Sequence, residues 1–167
     1  MANITNFGDY SVKNVKTFKG HDGIGMNCDL YRGKTKIADC HDGAYGGEIE
    51  IRFFGENRRK EEDLLQEICA SLPLVPFEHG DDYAVDMSSF VDDLANKALL
   101  EKDIKKMKKV CQTKTLFKTS TSKIGAYSII PSPPSESIRA YIKEKFGECE
   151  IFNDVFERGE IPSVLKD

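Results

Sequence analysis

No stretch of this chain approaches the roughly 20 consecutive apolar residues that a bilayer-spanning helix needs. Its first residues, Met1-Ala2-Asn3-Ile4-Thr5-Asn6, hold neither a basic n-region nor an apolar h-region, so we expect a cytoplasmic protein rather than a secreted one. In that setting the glycosylation pattern Asn3-Ile4-Thr5 is idle. There is no C-x-x-C. The five cysteines, Cys28, Cys40, Cys69, Cys111 and Cys149, are odd in number and stand 12, 29, 42 and 38 residues apart. A disulfide framework or a zinc knuckle needs close, paired spacing, so reduced and mostly buried thiols are expected. No G-x-S-x-G supplies a nucleophile elbow, and no lysine follows a glycine-rich loop in the Walker arrangement. Nothing in these motifs calls for a cofactor.

What is present is the composition of an ordinary globular protein: 167 residues, 40% hydrophobic and 31% charged. That length suffices for one well-buried core or for two small units. The net charge of −4 conceals a polarised middle. Residues 1–60 carry +2 and residues 61–103 carry −10, whereas residues 104–123 hold seven lysines and no acid. Residues 124–167 return to −3.

Hydrophobic periodicity divides the chain into three regions: 1–57 of antiparallel strands, 58–111 of helix, and 112–167 of hairpin plus helix. In "MNCDLY", Met26, Cys28 and Leu30 alternate with Asn27, Asp29 and Tyr31. In "EIEIRFF", Ile49, Ile51 and Phe53 alternate with Glu48, Glu50 and Arg52. A period of two marks half-buried strands. "YSVKNVKTFK" is a strand in which Val12 and Val15 share a face only through a bulge. Arg32-Gly33 is a hairpin signal before a weaker strand near Thr35–Cys40. From Arg58 the period becomes 3.6, with Leu64, Leu65, Ile68 and Leu72 on one face and Pro73 as the stop. A long helix is predicted from about Ser88, with Ser88 or Ser89 as N-cap and Asp92 and Asp93 in its first turn, to Cys111. Its stripe shifts near Leu99–Glu101, which implies a kink or a change of packing partner. "KTLFKT" and "GAYSII" then form a hairpin. A third helix is capped at Ser132 with Pro133 first, striped by Ile138, Tyr141, Ile142 and Phe146, and stopped at Gly147. "CEIF" reads as a short strand, and the tail from Gly159 as frayed. The fold class is α+β.

Two stretches, "GHDGIG" and "CHDGAYGG", repeat His-Asp-Gly twenty residues apart. As a metal or general-base site they would use His21, Asp22, His41 and Asp42. However, Asp-Gly between strands is first a turn signal, and the flanking glycines reinforce it, so hairpin or loop tips are expected. Gly23-Ile24-Gly25 leads into a strand, not a helix, which argues against a dinucleotide cradle. Cys40 and His41, adjacent on a strand, face opposite sides and cannot form a nucleophile–base pair with each other.

The lysines have a clearer geometry. At about 100° per residue, Lys105, Lys106, Lys108 and Lys109 occupy the arc opposite Ile104, Met107, Val110 and Cys111, and Lys114, Lys118 and Lys123 extend it if the hairpin lies alongside. Such a patch attracts phosphate backbones, but without arginine and with Phe117 as its one aromatic it is poorly equipped to read or stack on bases. The acidic stretch offers Asp81, Asp82, Asp86, Asp92 and Asp93 as a second charged surface, able to compete for a nucleic-acid-binding site on a protein partner.

The opening half, through the stretches "TFKG", "GIGMN", "LYRGKTKIA" and "DGAYGG", and the later "KKVCQTKTLFKT", resembles small uncharacterised proteins of bacterial phages and mobile elements. The resemblance implies a non-enzymatic protein acting in the bacterial host cell. Its sharpest form is an anti-CRISPR-type inhibitor that occupies a nuclease or other nucleoprotein effector through a charged surface. A nucleic-acid-binding accessory protein using the lysine patch is the first alternative, and a metal-dependent enzyme at the two His-Asp-Gly loops the second.

Overall fold

A computed structural model describes residues 7–76 and 80–166. The opening residues Met1–Asn6 and the acidic-stretch residues Glu78 and His79 lie outside the described residues. The architecture is α+β: an N-terminal four-stranded antiparallel sheet, a long helix, and a small second sheet with helices. By contact the chain divides once, into Met1–Leu99 and Leu100–Asp167, with the division inside the long helix.

In the first unit β1 (Tyr10–Lys19), β2 (Ile24–Arg32), β3 (Thr35–Asp42) and β4 (Glu50–Phe53) pair in chain order, as expected for sequential hairpins. The alternation buries Met26, Cys28, Leu30 and Cys40, while Asn27, Asp39 and His41 stay outside. The register of β1 against β2 slips between Lys13 and Lys16, and Asn14 takes φ 55°. This bulge lets Val12 and Val15 both reach the core. Gly33, at φ 61°, makes the β2–β3 turn. Helix α1 (Arg58–Ser71) turns Leu65 and Cys69 onto the sheet. It also carries Glu61, to which Arg32 of β2 donates two hydrogen bonds of 2.6 Å. Phe90 sits at the centre of this core, edge-on to Phe7 and Tyr10 at 5.3 and 5.8 Å.

Helix α2 (Met87–Cys111) starts one residue earlier than its serines suggested. Asp86, not Ser88 or Ser89, is the N-cap. The Ser89 amide donates to Asp86 Oδ1 (2.7 Å) and the Asp86 amide to Ser89 Oγ (3.1 Å), a reciprocal box. Ser88 Oγ is engaged elsewhere, accepting from the Ile49 amide at 2.8 Å. Asp92 and Asp93 consequently fall beyond the first turn. The shift of stripe is a change of packing partner: Phe90, Val91, Leu94 and Ala95 belong to the first core, Met107 to the second.

The second unit has the order β6–β5–β7, from β5 (Thr115–Thr119), β6 (Ser128–Ile130) and β7 (Cys149–Ile151). Strand β6 is shorter than "GAYSII" because the Ala126 amide donates to Lys123 O in a turn that holds Gly125 at φ 72°. Helix α3 (Glu136–Phe146) is capped by Ser135, three residues after the expected Ser132. Ser132 and Pro133 each precede a proline, which disfavours helical backbone, and Ser135 is the first hydroxyl past that constraint. Gly147, at φ 73°, ends the helix as predicted. A further helix, α4 (Phe152–Glu157), follows β7 directly. The tail is not frayed: Pro162 is fully buried, Val164 and Leu165 pack against Met107, Leu116 and Phe152, and the Ser163 amide donates to Glu150.

Candidate functional site

The two His-Asp-Gly stretches lie side by side at one end of the first sheet. The Asp22 amide donates to Ala44 O (2.9 Å), and a Cβ on Gly20 would collide with that of Ala44. Only the first is a loop tip. His41 and Asp42 end β3, which corrects the expectation of two equivalent turns. Each polar side chain is occupied locally. His21 Nδ1 lies 2.8 Å from Asp22 Oδ1, with both residues exposed, and Asp42 Oδ1 accepts from the Ala44 amide at 2.8 Å. His41 Nδ1 lies 2.7 Å from Asn27 Oδ1, and its ring stacks on Phe18 at 5.9 Å. The ring of Phe18 covers Gly25, where a side chain would strike it. Among the described residues no group of three or more His, Cys, Asp or Glu side chains is arranged to hold a metal ion.

The solvent side of the same sheet is a concavity of about 850 Å³ that the sequence did not single out. Register aligns Lys16, Asn27, His41 and Glu50 in one row, and Lys13, Asp29, Asp39 and Arg52 in the next. The juxtaposed carboxylates of Asp29 and Asp39 are bridged by Lys36 Nζ at 2.8 and 2.6 Å. Hydrogen bonds from Lys36 and Asn14 hold the Asp29 carboxyl below its ordinary range. Glu50 pairs with Arg52 at 2.8 Å. This face is largely paired within itself, which suits a stable sheet surface better than a waiting site.

The acidic candidates do not form one free patch. Asp81 and Asp82 are exposed. Asp86 is committed to the helix cap, and Asp92 is half-buried and accepts from Asn96 at 3.1 Å. Burial, with a smaller contribution from nearby Asp42, pushes the Asp92 carboxyl up. Asp42, Asp86 and Asp92 line a cleft of about 530 Å³ beside Gly46 and Gly47. Asp93 is partly buried in the next position of the helix.

The lysines are the opposite case. Lys105, Lys106, Lys108 and Lys109 are all exposed, while Met107 is buried against Leu116 and Phe152. Lys108, at one edge of the arc, lies over the Phe156 ring at 5.3 Å. Lys102, outside the lysine run that the sequence marked, is exposed and falls between Lys109 and Lys106 on the same face, at i−3 from Lys105. Lys102, Lys105, Lys106 and Lys109 thus span about 10.5 Å of one helix face. Lys114 is exposed at the end of the following loop, just before β5, whereas Lys118 is half-buried, 3.5 Å from Ser163 Oγ. Among the described residues none of Lys102, Lys105, Lys106, Lys109 and Lys114 forms an ion pair. The contrast extends to the units: Leu100–Asp167 contains 13 basic and 10 acidic residues, Met1–Leu99 contains 11 and 18. No helix among the described residues is long and apolar enough to cross a membrane. No family model matches the chain, and no curated protein or solved structure is significantly similar to it.

Proposed function

We propose that this chain is a non-enzymatic binding protein that interferes with a host nucleic-acid-handling machine, and that its working surface is the lysine face of α2. The observation that carries the reading is the set of exposed lysines, Lys102, Lys105, Lys106, Lys109 and Lys114, which form no ion pair among the described residues. Solvated lysines on a fixed helix face neutralise phosphates by releasing condensed counterions, a sequence-independent attraction. With no arginine fork and no stacking ring on the arc, the ligand is a phosphate backbone rather than a base pattern. Covering that backbone denies it to an effector, which is the form an anti-CRISPR-type action takes here.

The test is binding of a labelled duplex across a salt series. Five phosphate contacts give a slope of about −4.5 in log K against log salt, or roughly 500-fold weaker binding from 50 to 200 mM. Charge reversal at Lys102, Lys105, Lys106 and Lys109 abolishes binding with an unchanged circular dichroism spectrum. Binding that ignores salt, or that survives the reversal, sinks the proposal. A second reading rests on Asp81 and Asp82, whose exposure suits them to occupy a basic site on a protein partner. D81K/D82K then abolishes capture of that protein from host lysate and leaves duplex binding intact.

A further inference from the structure

Cys28 of β2 and Cys40 of β3 are direct register partners, although twelve residues separate them in sequence. Both belong to the first core, at 4% and 3% exposure. Facing residues of an antiparallel pair have Cα atoms about 4.5 or 5.5 Å apart, according to whether the site is non-hydrogen-bonded or hydrogen-bonded. Both values fall inside the roughly 4.4–6.8 Å window in which a disulfide closes without moving the backbone. Their side chains, one residue from each strand, point to the same side of the sheet.

We propose that Cys28 and Cys40 are a modification site: a cross-strand dithiol that a small two-electron oxidant of the peroxide class converts to a disulfide, clamping β2 to β3. The two facing thiols perturb one another, which lowers the Cys28 thiol below its usual range and raises Cys40 above it. Cys28 is therefore the sulfur that reacts first. Its thiolate attacks hydrogen peroxide; the O–O bond breaks, a sulfenic acid forms on Cys28 and hydroxide leaves, taking up the thiol's proton as water. Cys40 Sγ then attacks Cys28 Sγ, and the sulfenic oxygen departs as a second water with the Cys40 proton. Two thiols are oxidised by two electrons, and one peroxide is reduced to two waters.

Burial makes the pair slow to react and selective for small oxidants. Cys111 and Cys149, which are only half-buried, serve as internal controls, and Cys69 is buried away from this register pair. The bond would tie a hairpin whose outer face carries the Asn27–His41 and Asp29–Asp39 rows.

The experiment treats the full chain with hydrogen peroxide, alkylates it in denaturant and maps the peptides by mass. The expected product joins the Cys28 and Cys40 peptides with the loss of two hydrogens, reverses with dithiothreitol, and raises the urea midpoint of the first unit. C28S gives no linked peptide. Because C28S places a hydroxyl in the core, the wild-type map stands as an independent readout. Recovery of both Cys28 and Cys40 as free thiols at the end of exhaustive peroxide treatment, with no linked peptide, overturns the proposal. So does irreversible sulfinic acid at Cys28 without a link to Cys40.

Discussion

Asn153 is buried in the second unit and makes three hydrogen bonds. Its Oδ1 accepts from the Leu116 amide at 3.1 Å, and its Nδ2 donates to Cys111 O at 2.8 Å and Lys114 O at 2.9 Å. One side chain of α4 thus closes the end of α2 and fixes the first residues of β5. In Asn153→Ala the Leu116 amide, in a fully buried residue, loses its acceptor, which costs about 1–3 kcal/mol. The two carbonyls sit nearer solvent and regain water, so each lost bond contributes about 1 kcal/mol. We expect a total of about 3–5 kcal/mol, a large share of the roughly 5–15 kcal/mol that holds a domain together. Urea unfolding followed by circular dichroism reads the loss, and amide exchange at Leu116 localises it. Asn153→Asp sharpens the test. One carboxyl oxygen still accepts from Leu116, but the other faces two carbonyls and is favourable only when protonated. The folded pKa of that Asp is raised, so its contribution is present below about pH 4 and lost as the pH rises through the folded value. The Asp variant should lie closer to wild type at pH 4 than at pH 7. An alanine variant within 0.5 kcal/mol of wild type, on the scale of an ordinary surface change, or an Asp variant indifferent to pH, refutes the reasoning.

Two further outcomes are expected in the first unit. Arg32 holds the Glu61 carboxyl below its ordinary range by two hydrogen bonds; the stability this supplies is complete above the unfolded carboxylate pKa and disappears as the pH falls through the folded one. Glu61→Gln therefore lowers the melting temperature at pH 7, and the gap to wild type closes on acidification; a constant gap across pH is the contrary result. Gly20→Ala drives a methyl into Ala44 and separates the two His-Asp-Gly stretches, a loss of about 1–3 kcal/mol from overpacking. Faster exchange of the Asp22 amide reports the separation, and unchanged exchange with unchanged stability speaks against it.

Much of the fold was legible because it follows from local rules. Alternation in "MNCDLY" and "EIEIRFF" set which side of each strand meets the core, and the spacing of Val12 and Val15 required the bulge that the backbone makes at Asn14. Helical periodicity placed the lysines opposite Met107, and the break in the α2 stripe marked where one core gives way to the other. Local competition explains the misread caps: Asp86 outranked the serines because Ser88 had a partner on Ile49, and consecutive prolines kept Ser132 from starting α3.

By itself, then, the sequence determined most of the elements, their faces and the core of the exposed lysine arc, all consequences of neighbours within about eight residues, but not α4 or the packed tail. Only tertiary structure decided which distant side chains meet. The pairing of Cys28 with Cys40, the Lys36 bridge between Asp29 and Asp39, the clasp of Asn153 on α2, and the burial of Pro162 in a tail rich in turn residues all depend on register and on contacts across the fold. The same holds for the two His-Asp-Gly stretches. Their letters suggested a shared ligand, but the fold sets the two stretches side by side through Gly20 on Ala44 while each aspartate and histidine takes a local partner of its own.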